Sequence, residues 1–202
     1  MNLSDISLVI PSYNGIRVMK QCLETLQRES PECEIIVVDG GSTDGSLEVA
    51  HDFAAAFSRY RVVSVANHGW AHATNRGFEL ATGRYLVTMN SDLFITRAAL
   101  EAMNTRLERD PGVGGVSPVL LNGDGSRQKF FGVFYPANWS AVEHPRRVNL
   151  VYGCCAMLSR DALERVGLFD ENFFFTTRNS TGAGARLGSG TVLNSCRKRG
   201  SP

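Results

Sequence analysis

Ile35-Ile36-Val37-Val38 is β-branched and apolar without a break, and it stops at Asp39-Gly40-Gly41. β-Branched side chains are stiff and pack well on a pleated surface. With no polar alternation, the run reads as a strand covered on both faces, and such strands belong to parallel sheets roofed by helices. The neighbouring segments supply the helices. Val18, Leu23 and Leu26 mark the apolar face of a helix from about Gly15 to Glu29, which Pro31 ends. Leu47, Ala50, Phe53, Ala54 and Phe57 form a second stripe between Ser46 and Phe57. A third helix runs from Ala71 to Ala81 and closes at Thr82-Gly83, where Gly83 is expected to supply a left-handed cap. A fourth runs from Ala98 to Glu108 and stops at Asp110-Pro111. Between these helices lie the apolar runs Ile6–Ile10, Arg61–Ala66 and Tyr85–Met89. Alternation of this kind predicts an α/β fold: a Rossmann-like, open, mostly parallel sheet flanked by helices, with right-handed crossovers.

After Pro111 the pattern changes. Val113–Leu121 leads into Asn122-Gly123-Asp124-Gly125, a hairpin-type turn. Leu150–Leu158 reads as one more buried strand and Arg160–Val166 as a short helix. At 202 residues the chain is enough for one domain with a sizeable core. Its net charge of +1 predicts no strong field, which argues against nucleic acid as a partner. No apolar run has the roughly 20 residues of a membrane-spanning helix. The start, Met1-Asn2-Leu3-Ser4-Asp5, is unlike a signal peptide, so a cytoplasmic protein is expected, with peripheral contact at the inner face of the plasma membrane as a variant. Cys22, Cys33, Cys154, Cys155 and Cys196 show no CxxC spacing and support neither a disulfide framework nor a zinc site.

Chemistry is expected where the strands end, because open α/β sheets bind ligands at the C-terminal tips of their strands. Ile6–Ile10 ends in Pro11-Ser12-Tyr13-Asn14-Gly15, the second run in Asp39-Gly40-Gly41-Ser42-Thr43-Asp44-Gly45, and Tyr85–Met89 in Asn90-Ser91-Asp92. Asp39 can serve as a turn carboxylate or recognise a base or ribose, and the adjoining glycines let a ligand approach the backbone. Asp92 can hold a divalent cation, bond a sugar hydroxyl, or merely cap the helix that starts near Thr96. Asn67-His68-Gly69-Trp70-Ala71-His72-Ala73-Thr74-Asn75 forms the third loop and enters a helix that Asn67 or His68 can cap. The i, i+4 pair His68 and His72 lacks a third ligand and is not read as a metal site. Neither a Walker loop nor a GxGxxG fingerprint is present.

Taken in order, Val9-Ile10-Pro11-Ser12-Tyr13-Asn14, Val37-Val38-Asp39-Gly40-Gly41-Ser42-Thr43-Asp44-Gly45, Asn67-x-Gly69 with Asn75-x-Gly77, and Met89-Asn90-Ser91-Asp92 resemble family 2 glycosyltransferases of the GT-A fold, and the third loop is similar to rhamnosyltransferase-like members. The resemblance covers about Ile6 to Phe175. It implies inverting transfer of a sugar from a dTDP-, UDP- or GDP-linked donor to a saccharide or lipid-linked hydroxyl acceptor, in polysaccharide or glycolipid synthesis. It implies that Pro11, Tyr13 and Asn14 line the nucleotide pocket, that Asp39 with Gly40 holds the base, and that Asn75 helps hold the donor. Asn90-Ser91-Asp92 matches the family's D-x-D-like motif with Asn in the first place, so Asp92 is the residue implied to bind Mg²⁺ or Mn²⁺. The nucleotide-binding half is placed at about 1–110 and the acceptor half at about 111–175. A nucleotidyltransferase would also use strand-tip carboxylates and a metal, but Pro11-Ser12-Tyr13-Asn14 lacks the glycines and basic residue that such an enzyme usually places there.

One part of the family pattern is missing. The Phe-Phe run is expected to lead into an acidic motif carrying the general base. Here it leads into Thr176-Thr177-Arg178-Asn179, and no Asp or Glu follows Glu171. Codon degeneracy allows the shifted frame to spell that motif, so 176–202 is read as the product of a frameshift, poorly ordered and without a base. The same domain as a donor-binding remnant is therefore the alternative to an active transferase.

Overall fold

The computed structural model describes residues 3–128, 147–148, 153–172 and 190–198, with side chains described for 3–128 and 153–172. The chain begins β1 (Ile6–Ser12), α1 (Ile16–Glu29), β2 (Glu34–Asp39), α2 (Ser46–Asp52), β3 (Tyr60–Ser64), α3 (Trp70–Leu80) and β4 (Tyr85–Met89). It continues through β5 (Leu93–Phe94), α4 (Arg97–Arg109), β6 (Gly115–Leu121), β7 (Arg147–Val148), β8 (Cys155–Ser159), α5 (Arg160–Val166) and β9 (Gly190–Lys198). The strands lie in the order β3-β2-β1-β4-β8-β6-β9-β5, with β7 paired to β9.

From β3 to β4 every ladder is parallel. Beyond β4 the sheet is mixed, since β8 runs antiparallel to both β4 and β6. The unbroken apolar run is β2, buried along its whole length. Its side chains divide by parity, as a pleated strand requires. Ile35 and Val37 join one core layer with Leu8, Ile10, Val87 and the α1 residues Met19, Leu23 and Leu26. Ile36 and Val38 join the other with Val9, Leu86, and Ala73 and Phe78 of α3. Each such fully buried aliphatic side chain is worth about 1.5–3 kcal/mol. Helix α3 sits close on the sheet at Gly77, where a Cβ would collide with Val9 and come within 3.2 Å of Val38.

The hairpin-type turn forms as expected: Gly125 takes φ +85°, and its N–H donates to the Asn122 carbonyl at 2.9 Å. Helix α2 is shorter than its stripe, ending at Asp52 before a 3-10 turn at Ala54–Ala56. Gly83 does not play its expected part. Helix α3 ends into Ala81 in extended geometry, and the left-handed glycines lie elsewhere. The carbonyl of Leu80, in the last turn, accepts from Arg61 Nη1 at 3.0 Å, and the Ala81 and Gly83 carbonyls just beyond it accept from the Arg160 guanidinium. Gly83 is there for space, because a Cβ would stand 2.6 Å from the Asp5 carbonyl oxygen. The tail also departs from expectation in part. Gly190–Lys198 is a strand, parallel to β6 and antiparallel to β5 and β7. Its β-branched and apolar core, Thr191-Val192-Leu193, has the composition for an edge to extend. Residues 176–189 and 199–202 lie outside the described residues.

The end of the sheet away from the strand tips is held by one buried carboxylate. Glu34 accepts from Ser7 Oγ, from Thr82 N at 2.7 Å and from Thr82 Oγ1 at 3.0 Å, with Arg59 and Arg61 within 3.6 Å. Burial raises its pKa, but the hydrogen bonds from Ser7 and Thr82 outweigh that and hold it below the usual carboxylate value. A depressed folded pKa gives stability that is present at neutral pH and lost as the pH falls through that pKa. Glu34→Gln is therefore expected to cost about 1.5–3 kcal/mol at neutral pH. In urea melts at several pH values the gap to the parent chain should narrow below about pH 4.5.

Candidate active site

Strand β1 is flanked by β2 on one side and β4 on the other: the chain runs outward from β1 through β2 to β3, then crosses back on α3, over the opposite face from α1 and α4, to add β4. A crevice opens at such a switch point. Here it is a cleft of about 370 Å³ walled by the tips of β1 to β4 and by the start of α3. Of the residues expected there, Pro11, Tyr13, Gly40, Asn90 and Asp92 line it. Asn14, Asp39 and Asn75 do not.

These departures have one cause: each polar group finds partners nearer than the cleft. Asp39 is buried, and its carboxylate accepts from Gly41 N at 2.9 Å, Ser42 N at 2.8 Å and Ser42 Oγ. It shapes the loop whose Gly40 faces the cleft. Asn14 takes φ +49°, donates its N–H to Ser42 Oγ at 2.8 Å and accepts from Thr43 N at 2.9 Å. Asp44 completes the junction, accepting from Ile16 N at 2.9 Å and from Ser46. Hydrogen bonds led by that from Ser46 hold its carboxyl below the usual range. The loops after β1 and β2 are thus sewn to each other.

Asn75 is buried inside α3 and works in the other direction. Its Nδ2 donates to the Phe169 carbonyl and to Glu171 Oε1, both at 2.8 Å, and its Oδ1 accepts from Phe169 N at 3.0 Å. His72 reaches Glu171 Oε2 at 2.7 Å and Arg76 lies 3.7 Å from Oε1. Hydrogen bonds from Asn75 and His72, in that order, hold the Glu171 carboxyl below its usual value. Phe169, fixed in this way, lies against Trp70 with ring centres 5.0 Å apart.

Trp70 forms part of the cleft wall, and its indole Nε1 donates to Asn90 Oδ1 at 3.1 Å. Asp92 lies beyond, and burial together with its charge pushes the Cys22 thiol up to about 12. The capping alternative for Asp92 does not apply: Thr96 Oγ1 accepts from Ala99 N and closes α4 itself. Helix α3 is entered through Gly69, without a side-chain cap from Asn67 or His68. Asn67 Oδ1 instead accepts from Gly69 N at 3.2 Å. Among the described residues no group of three or more His, Cys, Asp or Glu is placed to hold a metal. Ser12 and Ser91 also line the cleft. Both lie inside the quoted motifs, so their position was available from the sequence. Ala66 and Ala73, which line it too, carry no polar signal to find them by.

The sheet, its switch point and this cleft are those of the GT-A fold. The mannosyltransferase PcManGT of Pyrobaculum calidifontis, solved with GDP-Man and Mn²⁺, superposes with a TM-score of 0.70 at 23% identity, over 96% of this chain and 56% of that one. TarS residues 1–349 of S. aureus, solved with UDP, superposes at 0.74 and 16% identity, over 98% of this chain and 61% of that one. Residues 7–167 match Glycosyl transferase family 2, and the chain belongs to that family. Among curated relatives, the uncharacterized glycosyltransferase EpsJ of Bacillus subtilis is 31% identical over 106 residues, which is 52% of this chain and 31% of that protein. The poly-beta-1,6-N-acetyl-D-glucosamine synthase of Staphylococcus epidermidis is 26% identical over 172 residues, 82% of this chain and 42% of that protein. The chain thus spans less than half the length of these curated relatives.

Asn75→Ala would leave the Phe169 main chain and Glu171 without these partners. It is expected to cost about 1–3 kcal/mol. Limited proteolysis should then cut near residue 169 well before the remainder of the domain opens.

Proposed function

We propose that this chain is a glycosyltransferase domain that takes a sugar from a nucleoside-diphosphate sugar and passes it, with inversion, to a hydroxyl of a saccharide or lipid-linked acceptor in polysaccharide or glycolipid synthesis. The observation that carries this reading is the cleft at the switch point, with Tyr13 and Gly40 on one wall and Asp92 on another. Tyr13 is largely exposed beside a residue with no side chain, which leaves room for a flat base against its ring. Pro11 and Ser12 carry that wall inward. Asp39 and Asn14 serve the donor indirectly, by keeping the two loops in place, and Asn75 does so by holding the segment behind Trp70.

The cleft fits a divalent cation of the Mg²⁺ or Mn²⁺ kind. Asp92 offers a hard oxygen ligand, and such ions are commonly held by one or two carboxylates together with substrate phosphates. Its supply when bound is charge neutralisation on the departing diphosphate. The names of relatives and neighbours support the substrate class, since those proteins are described with GDP-Man, UDP and an N-acetylglucosamine polymer. The rhamnosyltransferase-like form of loop 67–75 adds dTDP-sugars to the donors considered.

A second reading is favoured by one observation. Glu171 is the last acid of the chain, and its hydrogen bonds from Asn75 and His72 make it a weak proton acceptor. Residues 172–202 carry no Asp or Glu, so without an acceptor from outside this stretch the domain would bind donor and transfer poorly. A positioned general base is typically worth about 10²–10⁴-fold in rate.

Thermal-shift titration with UDP-, dTDP- and GDP-sugars, with and without Mn²⁺, tests both. One donor should raise Tm in a Mn²⁺-dependent manner, and Asp92→Asn should remove the Mn²⁺-dependent part. No shift with any donor would overturn the proposal. Transfer assays on the same samples separate the readings, because efficient turnover would exclude the remnant.

A further inference from the structure

We propose that Trp70 fixes Asn90 as a hydrogen-bond donor toward the diphosphate oxygens of the ligand, leaving Asp92 as the carboxylate that this strand tip offers a cation. The inference rests on the nucleotide-sugar reading above and assigns the direction in which one side chain of that cleft works.

An indole N–H can only donate. The 3.1 Å bond from Trp70 Nε1 therefore identifies the Asn90 atom it meets as the carbonyl Oδ1. The amide is planar, so its NH₂ is turned away from the indole, and Nδ2 has no partner among the described residues. Neither side of the bond can readily turn over. Trp70 opens α3, which Gly77 seats on the sheet, and its ring lies against Phe169, whose N–H and carbonyl are both held by Asn75. Asn90 is pinned through its main chain, its N–H donating to the Cys154 carbonyl at 2.9 Å and its carbonyl accepting from Leu93 N at 3.2 Å.

A group restricted to donation selects atoms that carry lone pairs. Phosphate oxygens offer lone pairs and negative charge together, and hydrogen bonds to them are charge-assisted. A carboxylate at the same place would do the reverse, accepting from hydroxyls and repelling phosphate unless a cation stood between. Position 90 thus contributes a neutral donor beside the Asp92 carboxylate, and Trp70 is the positioning residue that sets it.

Calorimetric titration with UDP and GDP, each with and without Mn²⁺, tests this on the parent chain, Trp70→Phe and Asn90→Asp. Trp70→Phe keeps a ring against Phe169 and removes the N–H. It should weaken nucleoside-diphosphate binding by about 10-fold, the order expected for one hydrogen bond to a charged group. Asn90→Asp can still accept from Trp70 but no longer donates. It should bind more weakly than the parent without Mn²⁺ and recover when Mn²⁺ is added, so its Mn²⁺ dependence exceeds the parent's. Should Trp70→Phe fail to fold, Asn90→Asp decides, together with the Asn90 side-chain NH₂ signals of the parent, which should shift when UDP or GDP is added. Parent-like affinity in Asn90→Asp under both conditions, or unmoved NH₂ signals at saturation, overturns the inference while leaving the nucleotide-sugar reading intact. A parent chain that binds neither diphosphate overturns both.

Discussion

The seating of α3 at Gly77 is the contact on which the site depends. A helix with any side chain there would have to stand off from Val9 and Val38, and its first turn would leave the strand tips. Because it does not, Trp70 reaches the Asn90 side chain and Asn75 reaches the Phe169 main chain from the same helix. Close approach of a backbone to a sheet is one of the few places where glycine earns its entropic cost in a helix. Here it brings the start of α3 to the cleft and also ties residues 169–171, far along the chain, to the parallel part of the sheet.

The polar residues of the domain sort into two ends. At one end of the parallel strands, Glu34 gathers Ser7, Thr82 and two arginines, and Arg160 gathers the carbonyls that follow α3. At the other end, the buried Asp39 carboxylate is occupied by its own loop, while the half-buried Asp44 accepts from Ser46 and from Ile16 N of the neighbouring junction. A buried carboxylate must be bonded to remain charged, and both ends obey that rule. The difference is that the cleft end also sets polar and aromatic groups along a wall: the exposed Tyr13 ring, the Asn90 amide and Asp92.

The alternation of apolar runs with helical stretches made most of the architecture legible, because an unbroken run such as 35–38 and a stripe such as that of α1 follow directly from which faces are covered. The ladders beyond β4 were less legible, since the apolar run at 150–158 does not reveal that β8 turns back antiparallel, and the low apolar content after residue 176 hid β9. At the site, Pro11, Tyr13, Gly40, Asn90 and Asp92, singled out by strand-tip position, line the cleft. It could not say which way a side chain turns. Asp39, Asn14 and Asn75 have the right chemistry for a ligand, but backbone N–H and carbonyl groups a short reach away claim them first. Gly83 taught the same lesson for backbone, since a glycine after a helix can be required by a neighbouring carbonyl rather than by its own dihedrals.

The stitching between the β1 and β2 loops has a consequence for how a visitor is received. A wall whose main-chain donors are already engaged gives up little conformational freedom when something settles on it. Capture can then proceed by simple encounter with a surface that is already shaped, and discrimination between visitors falls to fit instead of to the energy of rearrangement.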